Sequence, residues 1–365
     1  MNEVKRRRAA IRAAQTAGLE TLLVTHPADV HYLTGFTGSN AAVVLGSQKP
    51  VLFTDGRYTT QAKEQAVGLK VVVEPKPAFV AAVEHIVATG QNPCGFDPTL
   101  TTVSSLERMR KAVTAKERRG FFQPIEGLVA RLREIKDEDE IARMRKAAKL
   151  GCSLFDVALE AIAKGGTEVS VAAEMEFAAR KAGADAMSFE TIVASGPRSA
   201  LPHGKASKAK LPKRGFVTLD FGVVLDGYCS DMTRTVFLGK AKQRERDVYH
   251  SVLEAQQAAV AMVRAGVTCG EVDEAARSVL RNAGLDGYFS HSTGHGVGLE
   301  IHEGPRVASK QEQVLEPGMV ITIEPGVYIA GEFGVRIEDM VLVTKTGGEV
   351  LTSASPKSWM DWIEF

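Results

Sequence analysis

Four acidic residues sit inside stretches that otherwise read as buried β-strand, and no other feature restricts the possible folds of this chain so strongly. Asp220 lies in Val217-Thr-Leu-Asp220-Phe-Gly222, and Asp231 in Cys229-Ser-Asp231-Met-Thr-Arg-Thr235, on either side of a turn signal at Asp226-Gly227. An antiparallel hairpin with that turn sets the two acids opposite each other to within a residue or two. The arrangement recurs: Val320-Ile-Thr-Ile-Glu324-Pro-Gly326 leads through Gly331 into Gly334-Val-Arg-Ile-Glu338-Asp-Met340, and 331 is the midpoint of 324 and 338. A lone buried carboxylate is strongly unfavourable, and four sharing one site repel each other. A cation removes both penalties, so the pattern predicts oxygen-rich coordination of divalent metal.

A nitrogen ligand is available in Gly294-His295-Gly-Val-Gly298, where the glycines let the backbone approach another group closely. Four carboxylates and one imidazole suffice for two ions about 3.5–4 Å apart. The glycine spacing differs from a dinucleotide fingerprint in its last interval, and no βαβ setting surrounds it. His203, in the loop Leu201-Pro-His203-Gly204, and His302, seven residues beyond His295, have the chemistry to hydrogen-bond a carbonyl oxygen as it becomes tetrahedral. Each taken alone is more ordinarily a surface or satisfied core histidine. His26, His31, His85, His250 and His291 keep that ordinary reading, although His291 borders the glycine loop. The chain has no GxSxG elbow, no HExxH (His302-Glu303 lacks the second histidine) and no P-loop, and no cysteine has an obvious activating partner.

Upstream, short β-branched runs alternate with helical stretches. Strands are expected at Thr21–Thr25, Ala41–Leu45, Pro50–Thr54 and Lys70–Glu74, and helices at Arg57–Ala66 and Phe79–Ala88. This predicts an α/β amino-terminal domain over 1–127, with a second domain over 128–365. The second opens with an amphipathic helix capped by Asp137 and Glu140, ended by Gly165-Gly166 and followed by a helix from Glu168 to Lys181. The order helix, helix, strands starts again at Gln243–Arg264 and Glu271–Arg281. Ala182-Gly183-Ala184-Asp185 returns as Ala283-Gly284-Leu285-Asp286, 101 residues on. Two similar halves in one α+β catalytic domain are expected.

With 365 residues the chain is long enough for about two to three domains, each with its own core. Lys plus Arg total 45 against 44 for Asp plus Glu, so no global field favours nucleic acid or a membrane surface. No apolar run reaches the ~18 residues of a membrane span. The basic start, Met1 to Ala17, lacks the apolar core of a signal peptide and reads as a surface helix. Four scattered cysteines without CxxC spacing fit reduced thiols, and the cytoplasm is the expected address.

These segments together resemble the creatinase/aminopeptidase family, the pita-bread metallopeptidases. The resemblance rests on Leu219-Asp220-Phe-Gly222, Ser230-Asp231-Met-Thr-Arg234, Ser292-Thr-Gly-His295-Gly-Val-Gly298, Ile323-Glu324-Pro-Gly326 and Arg336-Ile-Glu338-Asp339, in the family's order and approximate spacing. Tyr32-Leu-Thr-Gly-Phe-Thr-Gly38 and Phe53-Thr-Asp-Gly-Arg-Tyr58 resemble the extra α/β domain of the proline-specific branch. The likeness implies a pita-bread catalytic domain with an internal pseudo-two-fold repeat. It also implies two divalent ions, manganese first with cobalt or zinc as alternatives, held by Asp220, Asp231, His295, Glu324 and Glu338, with Asp231 and Glu338 bridging. Creatinase keeps the fold without the intact metal site, so the five ligand types argue against it and against non-catalytic relatives.

By the same likeness a metal-bridging hydroxide attacks the carbonyl of an Xaa–Pro bond while Glu324 relays the proton. His203 and His302 steady the substrate and its oxyanion, and Arg336 orients site carboxylates or substrate. The substrate is a small peptide with proline second, cut as a dipeptide (prolidase) or as a longer peptide (aminopeptidase P). Arg306 stands where similar prolidases carry a cation for the dipeptide carboxylate; the alternative is a solvated loop charge. Homodimers are usual in the family.

Overall fold

Short β-branched runs separated by Gly- and Pro-containing turns bury both faces of a strand, and the amino-terminal third is built from them. The computed structural model describes residues 2–116, 118–359 and, as backbone, 361–362. Met1, where the basic segment begins, lies outside the described residues. The chain divides into two compact units, Met1–Arg133 and Glu134–Phe365.

In the first unit six strands form one mixed sheet in the order Lys70–Val73, Val51–Thr54, Ala41–Gly46, Thr21–Val24, Cys94–Phe96, Phe122–Pro124. Thr21–Val24 runs antiparallel to Ala41–Gly46 and parallel to Cys94–Phe96. The helix Ala78–Thr89 buries Ala78, Ala81, Ala82, Val83 and Ile86 against Leu23, Val44, Val51 and Phe53 of this sheet. The helix expected at Arg57 starts as a 3-10 turn, Gly56–Tyr58, because the Asp55 carboxylate accepts from Arg57 N, and continues as Thr59–Gln65. The division falls beyond Gly127. The helix Leu128–Glu134 buries Leu128 and Val129, and its Arg133 donates to Asp29 Oδ1 at 2.7 Å.

In the second unit Asp137 caps the helix Glu138–Ala163: its Oδ1 accepts from Glu140 N, and Glu140 Oε2 accepts from Asp137 N, both at 3.0 Å. Met144, Ala148, Cys152, Phe155, Leu159 and Ile162 form the buried stripe of this helix. The helices Glu168–Lys181, Gln243–Met262 and Cys269–Asn282 follow the expected order. Each half is thus a helix pair followed by strands, the α+β architecture of two like halves. Gly183 (φ +96°) and Gly284 (φ +69°) each follow a helix end in the left-handed region, which explains the repeated Ala-Gly chemically: a C′ glycine accepts this conformation without a Cβ penalty.

The first acid-bearing hairpin pairs Gly215–Phe221 with Met232–Leu238, and Asp220 lies opposite Thr233. Its tip pairs Val224 with Cys229 and Leu225 with Tyr228 across Asp226 (φ +51°) and Gly227 (φ +80°). This is the two-residue turn with two positive φ angles that an Asp-Gly dipeptide favours. Ile192–Ser195 and the short Asp361–Trp362 flank the sheet. In the second hairpin Val320 pairs with Leu342 and Gly326 with Arg336, so 324 and 338 face each other where one ladder hands over to the next. Gly331 forms the tip at φ +77°.

A buried network ties the second hairpin to the residues after it. Arg234, 1% exposed, donates to Glu338 O at 2.5 Å, Asp339 Oδ1 at 2.8 Å and Ser355 O at 3.0 Å. Asp339 also accepts from Thr352 Oγ1 at 2.7 Å and Gln256 Nε2 at 2.9 Å. Burial raises the Asp339 pKa, but the Arg234 and Lys357 charges outweigh it and hold the carboxyl below its ordinary range. Arg234→Ala leaves Lys357 alone to balance that carboxylate and removes the donor to the Glu338 and Ser355 carbonyls. The expected loss is about 3 kcal/mol of unfolding free energy, the lower end for a broken buried pair. Urea denaturation of wild type and variant checks it; a change under ~1 kcal/mol, the scale of an exposed pair, contradicts the structural weight given to the network.

Candidate active site

The two hairpins and the strand Gly294–Gly296 bring the expected ligands together. That strand pairs with Glu303–Val307 on one side and Val320–Ile323 on the other. A Cβ at Gly294 would fall on Thr322 O, and one at Gly296 on Gly304 O, so only glycine admits this approach. His295 is thereby set among the acids of both hairpins. Ligand atoms of Asp231, His295 and Glu338 lie within 4.8 Å of one another. His295 Nε2 is 3.6 Å from Asp231 Oδ2 and 3.5 Å from Glu324 Oε1. Asp220 joins through Arg336, whose Nη2 donates to its Oδ2 at 2.6 Å.

Electrostatics identify what this arrangement accepts. His295 Nδ1 lies 2.9 Å from Gly296 O, which can only accept, so Nδ1 carries the proton and the Nε2 lone pair faces the carboxylates. Burial, with a smaller contribution from His302, lowers the imidazole pKa to about 4 although the Gly296 bond opposes this. The neutral nitrogen stands from the two carboxylate oxygens at distances too long for good hydrogen bonds. Burial, reinforced by Glu338, Asp220 and Glu324, raises Asp231 well above the usual carboxylate range. Glu338 rises for the same reason, with Glu324 and Asp220 as the repelling charges. Burial lifts Glu324 to about 7; Arg336 opposes the shift and Asp220 adds to it. Asp220 Oδ1 is buried with no hydrogen-bond partner. An unpartnered carboxylate oxygen, an aimed imidazole lone pair and acids destabilised by one another fit a divalent cation, and hard oxygen donors plus one imidazole suit such ions.

Arg336 is 4% exposed, and each of its guanidinium nitrogens is engaged: Nε to Thr233 Oγ1 at 3.1 Å, Nη1 to Tyr328 OH at 2.7 Å and Pro202 O at 3.1 Å, Nη2 to Asp220. Thr233 Oγ1 donates to Glu338 Oε2 at 2.7 Å. The acids face a cleft of about 600 Å³ that His203, His302 and Arg306 also line, with Phe189, Ile192 and Ile301 as its apolar wall. The His302 ring lies 4.4 Å from that of His295, centroid to centroid. Arg306 stands opposite His295 on the adjacent strand, with its side chain exposed.

Some residues here had no assigned role in the sequence. His291 lines the cleft; its Nδ1 faces Ser292 O at 2.8 Å and its Nε2 faces Tyr328 OH at 2.9 Å. The carbonyl fixes Nδ1 as the donor, so Tyr328 donates to Nε2 and accepts from Arg336. The only sequence hint for His291 was its place beside the glycine loop. Tyr328 and Thr233 had none, since a hydroxyl in a strand carries no periodic signal.

Known proteins share this construction. Residues 142–345 match metallopeptidase family M24, and residues 6–135 match the creatinase/prolidase N-terminal domain. The chain is 38% identical to an Xaa-Pro dipeptidase of Pyrococcus furiosus over 92% of its own length and 93% of that protein. Among solved structures it is similar to an Xaa-Pro dipeptidase from Bacillus anthracis, with TM-score 0.94, 41% identity, and coverage of 98% of this chain and 99% of that one. An X-Pro aminopeptidase from Thermotoga maritima superposes with TM-score 0.86 at 34% identity, covering 95% and 99%. With more than half its residues inside the catalytic match, and with Asp231, His295 and Glu338 placed so that they could hold a metal ion, the chain belongs to metallopeptidase family M24.

Proposed function

We propose that this metallopeptidase hydrolyses the Xaa–Pro bond of dipeptides, using two divalent ions held by Asp220, Asp231, His295, Glu324 and Glu338. The observation that carries the reading is the neutral His295 Nε2 facing Asp231 and Glu324 at 3.5–3.6 Å beside the unpartnered Asp220 Oδ1. When bound, such ions polarise the scissile carbonyl and make a water acidic enough to attack near neutral pH. The prolidase names of the relatives supply the substrate class. Manganese is the favoured ion, with cobalt or zinc as alternatives.

The remaining work falls to the protein's own side chains. The Glu324 carboxylate takes the proton of the attacking water and returns it to the leaving proline nitrogen, which like any amide nitrogen must gain a proton to depart as an amine. His203 and His302 donate to the substrate carbonyl as negative charge develops on it. Arg336, engaged at every nitrogen within the protein, orients Asp220 rather than binding substrate.

Arg306 lines the same cleft and would receive the carboxylate one residue past the scissile bond. A charge-assisted hydrogen bond contributes roughly 1.5–3 kcal/mol, so Arg306→Ala is expected to raise KM for an Xaa-Pro dipeptide by about 10-fold or more. Hydrolysis of Xaa-Pro-Xaa should change little. Equal effects on both substrates make Arg306 a loop charge only. The deciding experiment is a metal-supplemented hydrolysis panel over di- and tripeptides. Preference for the tripeptide favours aminopeptidase P, the activity named for the Thermotoga relative; no turnover of either removes the reading.

The cytoplasmic assignment rests on cysteine usage, since Cys94, Cys152, Cys229 and Cys269 are free and buried. No described helix is long and apolar enough to cross a membrane. Cell fractionation that recovers the protein outside the cytoplasm refutes that address. The family resemblance supports a homodimer, which a one-chain mass in light scattering refutes.

A further inference from the structure

The loop that carries His203 is gripped at both ends by one carboxylate with no part in the chemistry above. Glu168 is 0% exposed and opens the helix Glu168–Lys181, where the helix dipole favours a negative charge. Its Oε1 accepts from Ser195 N at 2.8 Å and Ser195 Oγ at 2.9 Å, on the strand entering the loop. Its Oε2 accepts from Ser207 Oγ at 2.6 Å and Ser207 N at 3.1 Å, on the segment leaving it. Arg198 Nε lies between the two oxygens, at 3.2 and 3.0 Å. From there Arg198 Nη2 reaches Lys205 O at 2.7 Å, two residues past His203. On the other side of the histidine, Pro202 O accepts from Arg336 Nη1 at 3.1 Å. His203 is therefore suspended between two arginine struts, one anchored on Glu168 and the other on Asp220.

We propose that Glu168 is a positioning residue for His203: its buried carboxylate clamps both stems of the loop and, through Arg198, fixes where the imidazole meets the substrate. Burying this charge is tolerable because both oxygens are fully hydrogen-bonded. Cutting the clamp frees a segment whose tip must stay within a fraction of an ångström of its place, and a 1 Å misplacement costs on the order of 100-fold in rate. The inference rests on the reading of His203 as a substrate-contacting residue.

The test is a double-mutant cycle with a structural readout. Glu168→Gln keeps the volume but turns one acceptor oxygen into a donor. It is expected to lower kcat/KM for an Xaa-Pro dipeptide by roughly 10- to 100-fold in the wild-type background and by no more than about 2-fold in the His203→Ala background. In the same variant, amide hydrogen exchange should accelerate across residues 196–206 and stay unchanged in the helix Cys269–Asn282. Should Glu168→Gln fail to fold, Arg198→Ala, whose side chain is partly exposed, must give the same pattern at smaller amplitude. Equal fold losses in both backgrounds overturn the proposal, and so does unchanged exchange in the loop. Absence of Xaa-Pro turnover in the wild type overturns the functional reading instead, and the exchange measurement then decides the clamp by itself.

Discussion

Glu324→Gln is expected to reduce kcat for an Xaa-Pro dipeptide by roughly 1000-fold or more, the range general acid–base catalysis supplies, while the protein stays folded. The substitution preserves volume at a site where Thr322 Oγ1 lies 3.5 Å from Glu324 Oε1 and the Glu324 backbone N donates to Thr293 O at 2.7 Å. Neither bond needs the negative charge. What is lost is the proton-accepting oxygen beside His295 and the charge that helps to hold a cation. Metal content measured on the purified variant separates the two. An inactive variant that keeps its metal supports the proton relay, and one that loses its metal assigns Glu324 to coordination alone. Wild-type turnover contradicts both.

Chelation is expected to abolish activity, and restoring Mn²⁺ to recover it, with a stability change whose pH dependence follows from the buried acids. Asp231, Glu338 and Glu324 have raised pKa values in the metal-free site. A raised folded-state pKa means that the metal-free fold binds more protons than the unfolded chain. Its stability is therefore fullest below the ordinary carboxylate range near 4 and falls as pH rises, through Glu324's value of about 7. A cation that takes the place of those protons reverses the trend, so metal binding should release protons and stabilise more strongly at pH 8 than at pH 5. At a free concentration about 100 times Kd the stabilisation is about 2.7 kcal/mol. Thermal unfolding of metal-free and Mn²⁺-loaded protein across pH, with calorimetry in two buffers to count protons, checks each part. A metal effect independent of pH, with no proton release, removes this account of the site.

How much was legible before folding depended on the distance over which the information is written. That Asp220 and Asp231 would meet to within two residues, and Glu324 and Glu338 face each other, followed from turn position and strand period, because antiparallel register is set by the few residues at the tip; the structure puts Thr233 directly opposite Asp220. The long helices were readable for a similar reason: the Asp137–Glu140 box and the apolar stripe to Ile162 are local patterns. The three-residue strands Cys94–Phe96 and Phe122–Pro124 were not, since so few residues complete no periodicity. The helix after Gly127 was separated from the first unit by sequence but is held in it by the buried Arg133–Asp29 pair.

The sequence by itself determined which residue types could bind metal, and that the acids would meet pairwise. Only the tertiary structure decided that both pairs share one cleft with His295, that the Tyr328 hydroxyl links His291 to Arg336, and that Glu168 closes the His203 loop. Side-chain partners such as Thr233 and Glu338, or Arg234 and Asp339, stand more than a hundred residues apart. Turns and periods are fixed by neighbours along the backbone, whereas such meetings depend on how whole helices and sheets pack, and no local pattern encodes that.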